Sequence, residues 1–172
     1  MIVNRENKYK GFLNIDLLTV KTKKGQEVKR EVMRRKDAVA SLVYNEETQK
    51  YIFVSQWRPG SLADIIEIPA GTLDHPGEDK RDAMKREIEE EIGYSVKSMI
   101  LLDECYVSPG GNTEMVSIYF SVVDEKIGDG GGVEGEHEEI DIIEMTKEEM
   151  LSTRFNDAKT IIAVNWAKYN HK

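Results

Sequence analysis

The sequence predicts a mixed α/β (α+β) fold in which helices cover the faces of a sheet. Apolar runs of strand length fill the first half of the chain and recur between residues 99 and 145. A helical pattern interrupts them after residue 78, and a second one closes the chain. At 172 residues, with 40% hydrophobic and 33% charged residues, the chain is long enough for one domain with a proper core.

The first half consists of strand candidates separated by polar turns. The predicted strands are residues 12–20, 27–34, 38–44, 51–56 and 65–69. The third and fourth of them flank a polar turn at 45–50, which is typical of a hairpin. Because hairpins pair antiparallel strands, this pattern disfavours the alternative architecture, a parallel sheet of βαβ units.

The second half begins with a helix at residues 79–92. Met84, Ile88 and Ile92 recur at four-residue spacing and Gly93 follows directly, which indicates an amphipathic helix with a glycine cap. The later predicted elements are strands 99–105 and 114–123, a glycine-rich loop 128–135, a strand 140–145, a short helix 147–151 and a closing helix 157–168.

Charge and composition narrow the function classes. The formal net charge is −8 and no basic stripe is evident, so we expect no nucleic-acid partner. No apolar run is long enough to span a bilayer, so we expect no membrane partner. Cys105 is the single cysteine and the N-terminus resembles no secretory signal, which together favour the cytoplasm.

Three glutamates of the predicted helix are candidate ligands for a metal ion. Glu87, Glu90 and Glu91 stand three and four residues apart, so they share one face of the helix, which we expect to be exposed. Like charges at this spacing destabilise a helix, and a hard divalent cation would offset the repulsion. The alternative is a solvated charged face that Lys85 and Arg86 partly compensate.

The residues around these glutamates resemble the motif of the Nudix hydrolase family. The matching positions are Glu78, Arg86, Glu87, Ile88, Glu90, Glu91, Gly93 and Tyr94. One departure is that six residues, rather than the family's five, separate Gly71 from Glu78. The resemblance implies a Nudix-type α/β/α sandwich with a mixed sheet at residues 37–172. A small antiparallel β extension at 1–36 precedes it and serves dimerisation.

The resemblance also implies a metal centre that takes Mg²⁺, with Mn²⁺ as a substitute. The expected ligands are Glu87, Glu91, the main-chain carbonyl of Ala70 and, directly or as a close partner of a ligand, Glu90. Glu90 is also a candidate catalytic residue. Arg86 is expected to orient the glutamates, and Glu78 to form a salt bridge with Arg86.

Beyond the motif, the chain resembles the ADP-ribose and GDP-mannose pyrophosphatase subgroup, whose homodimers exchange their N-terminal strands. On this resemblance Phe12 stacks on the nucleobase, but a core or dimer-interface role for its ring is equally open. Arg30 and Glu31 are expected to contact the base or the ribose.

Three further positions of the subgroup are matched. Arg58, in a Gln-x-Arg segment, is expected at the pyrophosphate, with a surface salt bridge as the alternative. Glu114 follows a Ser-Pro-Gly-Gly loop and is expected to contact substrate, although a plain tight turn would also use that loop. Lys159 is expected to reach the sugar or the phosphates.

An acidic loop at residues 130–140 is expected to supply a glutamate that binds metal or acts as general base. Aligning the loop on the following strand selects Glu138, and aligning it on the glycine run selects Glu136. The implied activity is Mg²⁺-dependent hydrolysis of a nucleoside diphosphate sugar, ADP-ribose or GDP-mannose, to a nucleoside monophosphate and a sugar phosphate. The alternatives are a non-catalytic nucleotide-sugar sensor and a house-cleaning nucleoside triphosphate pyrophosphatase.

Overall fold

The computed structural model describes residues 1–75, 77–132 and 139–171, and the chain divides into two compact units. The first unit contains Met1–Asp37 and Cys105–Val116, and the second contains Ala38–Glu104 and Ser117–Lys172. The domain division predicted between residues 36 and 37 stays a prediction. In the part of the chain that the structure describes, no helix has the length and apolar content needed to cross a membrane.

The first unit is built on a three-stranded antiparallel sheet. Its strands, in spatial order, are β1 (Ile2–Lys10), β2 (Asn14–Lys21) and β3 (Glu27–Arg34). The strands predicted at 12–20 and 27–34 are confirmed with small shifts at their ends. Strand β1 was not predicted, because all nine of its residues are exposed and it has no alternation of buried and exposed positions. Main-chain pairing with β2 is what makes it a strand.

The second unit contains a larger sheet. Its strands are β4 (Ala38–Asn45), β5 (Lys50–Arg58), β6 (Ala63–Glu67), β7 (Ala70–Thr72), β8 (Tyr94–Tyr106), β9 (Met115–Lys126) and β10 (Ile140–Met145). The last two residues of β8 and the first two of β9 belong to the first unit. The spatial order is β10-β5-β4-β9-β8, with β6 paired to β5 and β7 paired to β4. The antiparallel pairing of β4 with β5 confirms the predicted hairpin.

Three helices pack on this sheet: α1 (Lys80–Ile92), α2 (Lys147–Ser152) and α3 (Ala158–Asn170). One face of the sheet and α1 share a buried cluster that includes Val39, Val43, Ile52, Val54, Met84, Ile88 and Ile92. On the opposite face Phe53 stacks on Phe155, which lies between α2 and α3, and Phe120 packs on Trp166 of α3. Because successive strand residues alternate between faces, the sheet lies between helices on both sides. The predicted α/β/α sandwich is confirmed.

Candidate active site: glutamates of α1 against strand β7

Helix α1 presents its glutamates in a fixed register because both of its ends are capped. The Asp79 side chain accepts hydrogen bonds from the main-chain N–H groups of Arg81 and Asp82, at 2.9 and 3.2 Å. At the other end Gly93 adopts the left-handed conformation (φ 74°) and its N–H donates to the carbonyl of Glu89. The predicted helix and its glycine cap are confirmed.

Glu91 lies against the first residue of β7. Its side chain is only 5% exposed, and its Oε2 accepts a hydrogen bond of 3.1 Å from the main-chain N–H of Ala70. The expected exposed face is therefore wrong for Glu91. Strand β7, which the sequence did not indicate, covers this side of the helix. The structure brings Ala70 and Glu91 together through the Ala70 N–H, and the predicted role of the Ala70 carbonyl as a metal ligand stays a prediction.

Glu87, one turn earlier, lies against the next residue of β7. It is 9% exposed, so the prediction of an exposed face is wrong here too. A β-carbon on Gly71 would overlap the Glu87 carboxyl group, so only glycine leaves room for this carboxylate. Burial raises the pKa of Glu87 to about 7, against the opposing effect of Arg86 beside it. At this carboxylate the effect of burial on the pKa therefore outweighs that of the neighbouring guanidinium.

Arg86 links the other acidic residues of the motif. Its Nη1 lies 2.9 Å from Glu87 Oε1 and donates to Glu90 Oε2 at 2.8 Å, and its Nε lies 3.5 Å from Glu78 Oε1. The salt bridge predicted between Arg86 and Glu78 is present. Glu90 is partly exposed, in contrast to Glu87 and Glu91. Among the described residues, Arg86 Nη2 is a buried donor without a hydrogen-bond partner.

The donor chemistry of this cluster fits a hard divalent cation, which prefers carboxylate and main-chain carbonyl oxygens. Buried carboxylates of Glu87 and Glu91 stand beside the Ala70–Gly71 backbone. Within residues 1–75, 77–132 and 139–171, no three His, Cys, Asp or Glu side chains are already gathered as a metal site. Two of the carboxylates, those of Glu87 and Glu90, are instead paired with the guanidinium of Arg86.

Arg58 and Lys159, both predicted to bind substrate, meet at a third residue that the sequence prediction missed. Glu67, at the end of β6, is 3% exposed; its Oε1 accepts from Arg58 Nε at 2.5 Å and its Oε2 from Lys159 Nζ. Lys159 also lies 3.1 Å from Asp157 Oδ1. A lone carboxylate inside the apolar segment 65–68 was the available signal. The Arg58 side chain is partly exposed and forms a salt bridge with this buried carboxylate, so its role at the pyrophosphate stays a prediction.

The remaining predicted substrate residues lie in the first unit. Phe12 is 91% exposed, so the core alternative for its ring is wrong. Arg35, which the sequence prediction missed, places its Cζ 5.8 Å from the centroid of the Phe12 ring and its Nε 3.4 Å from Glu114 Oε2. Arg35 therefore contacts two of the predicted residues. The predicted residues Arg30 and Glu31 are both exposed on β3.

The predicted loop carboxylates Glu136 and Glu138 lie outside the described residues. Their assignment as general base or metal ligand therefore stays a prediction.

Comparison with known proteins identifies the family. The model of the NUDIX domain matches residues 34–163. A methanol dehydrogenase activator from Bacillus methanolicus is 38% identical over 146 residues, covering 83% of this chain and 77% of that protein. An ADP-ribose pyrophosphatase from Bacillus subtilis (strain 168) is 35% identical over 150 residues, 83% of this chain and 77% of the relative.

A GDP-mannose pyrophosphatase from Cronobacter sakazakii is 34% identical over 156 residues, 82% of this chain and 80% of the relative. A crystal structure of an ADP compounds hydrolase superimposes with a TM-score of 0.79 over 98% of this chain and 94% of that chain. At 19% identity this likeness shows the shared fold. The glutamate helix, the α/β/α sandwich and a family match over most of the chain agree, and the protein belongs to the Nudix family.

Proposed function

We propose that this protein hydrolyses the pyrophosphate bond of a nucleoside diphosphate sugar, ADP-ribose or GDP-mannose, releasing a nucleoside monophosphate and a sugar phosphate. The observation that carries the proposal is the pair of buried glutamates, Glu87 and Glu91, held against Ala70–Gly71 on the family's helix. Relatives that this chain matches over about four fifths of its length are named for these two activities.

In this proposal Glu87, Glu91 and the Ala70 carbonyl hold Mg²⁺, or Mn²⁺ in its place, and Glu90 supports them. The bound cation neutralises phosphate charge and lowers the pKa of water. Arg86 offsets the repulsion between Glu87 and Glu90 and orients both carboxylates, because its guanidinium pairs with each of them. This supply of positive charge lets a protein of net charge −8 accept an anionic substrate.

The other predicted residues divide between the two ends of the substrate. Arg58 and Lys159 bind the phosphates or the sugar phosphate, as guanidinium and ammonium groups do. Phe12, Arg30, Glu31 and Glu114 contact the nucleoside. Glu138 or Glu136 takes the proton of the attacking water, which approaches one phosphorus in line with the leaving oxygen. A protein with a single cysteine is suited to the reducing cytoplasm, where such substrates occur.

The purified protein, assayed with Mg²⁺ against ADP-ribose, GDP-mannose and UDP-glucose, is expected to release a nucleoside monophosphate and a sugar phosphate from at least one of the first two. Nucleotide chromatography identifies both products, and EDTA should abolish the reaction because the carboxylates alone cannot neutralise the diphosphate.

Tight binding of a nucleotide sugar without turnover would contradict hydrolysis and favour a sensor. The match to a relative named as an activator of another enzyme supports testing this second function. Preferential cleavage of nucleoside triphosphates would favour the house-cleaning reaction.

We also propose that the protein is a homodimer formed through the first unit. Strand β1 is an edge strand with exposed apolar side chains at Ile2, Val3 and Tyr9, and such edges pair readily with another chain. Residues 1–37 contain eleven Lys and Arg against five Asp and Glu, although the whole chain is acidic. The basic extension of one copy therefore complements the acidic remainder of another.

Light scattering is expected to give twice the 19.6 kDa mass of the chain. A variant with Ile2→Lys and Tyr9→Lys should shift the protein toward monomer, because it places charge on the apolar edge. A wild-type mass of one chain at every accessible protein concentration would contradict the dimer.

A further inference from the structure

Glu67 connects two elements that lie far apart in the sequence. It ends β6, and its two carboxylate oxygens accept hydrogen bonds from different partners: Oε1 from Arg58 Nε of β5 and Oε2 from Lys159 Nζ of α3. The side chain is 4% exposed. One buried carboxylate thus fixes two cations on neighbouring elements of the second unit.

The residues around Glu67 restrict Lys159 further. Asp157, the N-cap of α3, accepts from the Thr160 hydroxyl at 2.6 Å and approaches Lys159 Nζ at 3.1 Å. The Thr160 hydroxyl oxygen in turn accepts a buried hydrogen bond of 2.9 Å from the Ile68 N–H. Lys159 is therefore held between two carboxylates, and the first turn of α3 is tied to the residue that follows Glu67.

The same short segment reaches the glutamates of α1. Three residues after Glu67, the Ala70 N–H donates to Glu91 Oε2. The main chain from Glu67 to Ala70 therefore has the Arg58–Lys159 pair at one end and Glu91 at the other. Any shift of this segment moves the cations and the candidate metal ligand together.

Stability alone does not account for an ionised residue here. Burying the Glu67 carboxylate, and much of the Lys159 side chain with it, carries a desolvation cost, and apolar residues of similar volume often replace such groups without loss of stability. Arg58 bonds Glu67 through Nε, whereas the terminal Nη pair of a guanidinium is the part that grips phosphate oxygens bidentately. Anchoring Arg58 by Nε fixes the plane of its guanidinium, and with it the direction in which the Nη groups point.

We infer that Glu67 is a positioning residue, which sets Arg58 and Lys159 side by side to receive the phosphate oxygens of the substrate. This inference rests on the proposed function. It assigns Glu67 no contact with substrate; its effect passes through the two cations.

The test is the variant Glu67→Gln, whose amide still fills the space but presents an N–H₂ group toward Lys159 and carries no charge. KM for the nucleotide sugar that the wild type cleaves should increase about 10- to 100-fold, with a smaller change in kcat, because charge-assisted bonds that fix the cations are lost. Glu144→Gln is the matched control: Glu144 pairs with Lys50 at 3.2 Å on β10, and its loss should leave KM unchanged.

A double-mutant cycle separates positioning from plain structural support. In an Arg58→Gln, Lys159→Met background, adding Glu67→Gln should change kcat/KM by less than about twofold, since the side chains it orients are gone. If Glu67→Gln does not fold, Glu67→Asp serves instead. It keeps the charge, and its shorter reach should raise KM at a Tm near that of the wild type.

An unchanged KM in the folded variant would overturn the inference. So would an equal loss of kcat/KM in the wild-type and double-variant backgrounds. A wild type that cleaves none of the nucleotide sugars overturns the proposed function itself, and the inference with it. A cleaving wild type with an indistinguishable Glu67→Gln variant overturns the role of Glu67 alone.

Discussion

The variant Glu91→Gln is expected to lose at least about 100-fold in kcat while remaining folded. The metal is expected to supply several kcal/mol of charge stabilisation in the transition state, and each 1.4 kcal/mol corresponds to about tenfold in rate. Glutamine keeps the size of the side chain, and its amide oxygen can still accept the hydrogen bond from the Ala70 N–H. Because Glu91 is 5% exposed, removing its charge also removes a desolvation cost, which offsets the interactions that the charge makes, and Tm should change little.

Two measurements test this expectation. Steady-state kinetics at saturating Mg²⁺ gives the change in kcat, and electron paramagnetic resonance gives the change in Mn²⁺ binding. Glu89→Gln is the matched control, since Glu89 lies on the exposed side of the same helix and should tolerate the change. Full Mg²⁺-dependent turnover in Glu91→Gln, with Mn²⁺ bound as in the wild type, would show that Glu91 is not a metal ligand.

Local patterns predicted most of the elements of the fold. Helix α1 was predictable because its apolar spacing and its terminal glycine both indicate the same structure. Strand β1 was not, because a fully exposed strand has no burial alternation and depends on a partner strand. Strand β7 has only three residues and is defined by its pairing with β4. No local pattern marks such a segment.

The candidate site shows the same division between local and long-range information. Helical spacing placed Glu87, Glu90 and Glu91 on one side of α1, but only the position of β7 determines which of them are buried. Glu67 carried a signal, a carboxylate in an apolar strand, yet its partner Lys159 is 92 residues away in the chain. Contacts between distant segments determine which charged residues lie together, and the spacing of residues within a motif does not predict such contacts.

Gly71→Ala is expected to disable the site through the shape of a single methyl group. Gly71 has no left-handed backbone angle, so alanine fits its conformation and its pairing with Val39 on β4. The new β-carbon would instead occupy the place of the Glu87 carboxyl group, which must move away while remaining largely buried. A displacement of about 1 Å in a catalytic group can cost about 100-fold in rate, and kcat/KM should fall by at least that factor.

The collision itself can be tested by pairing substitutions. Gly60→Ala is the control, because a β-carbon at Gly60 meets no atom within 4 Å, and it should leave both rate and Tm unchanged. Glu87→Asp shortens the carboxylate side chain, so Gly71→Ala should cost less in that background than in the wild type, measured both as Tm and as Mn²⁺ affinity. Additive losses in the double variant would mean that Gly71 and Glu87 do not compete for the same space. Coupled losses would show that the absence of a side chain at Gly71 is what allows the Glu87 carboxylate to occupy its position. In the proposed function, that position is where the carboxylate binds the cation that contacts the diphosphate.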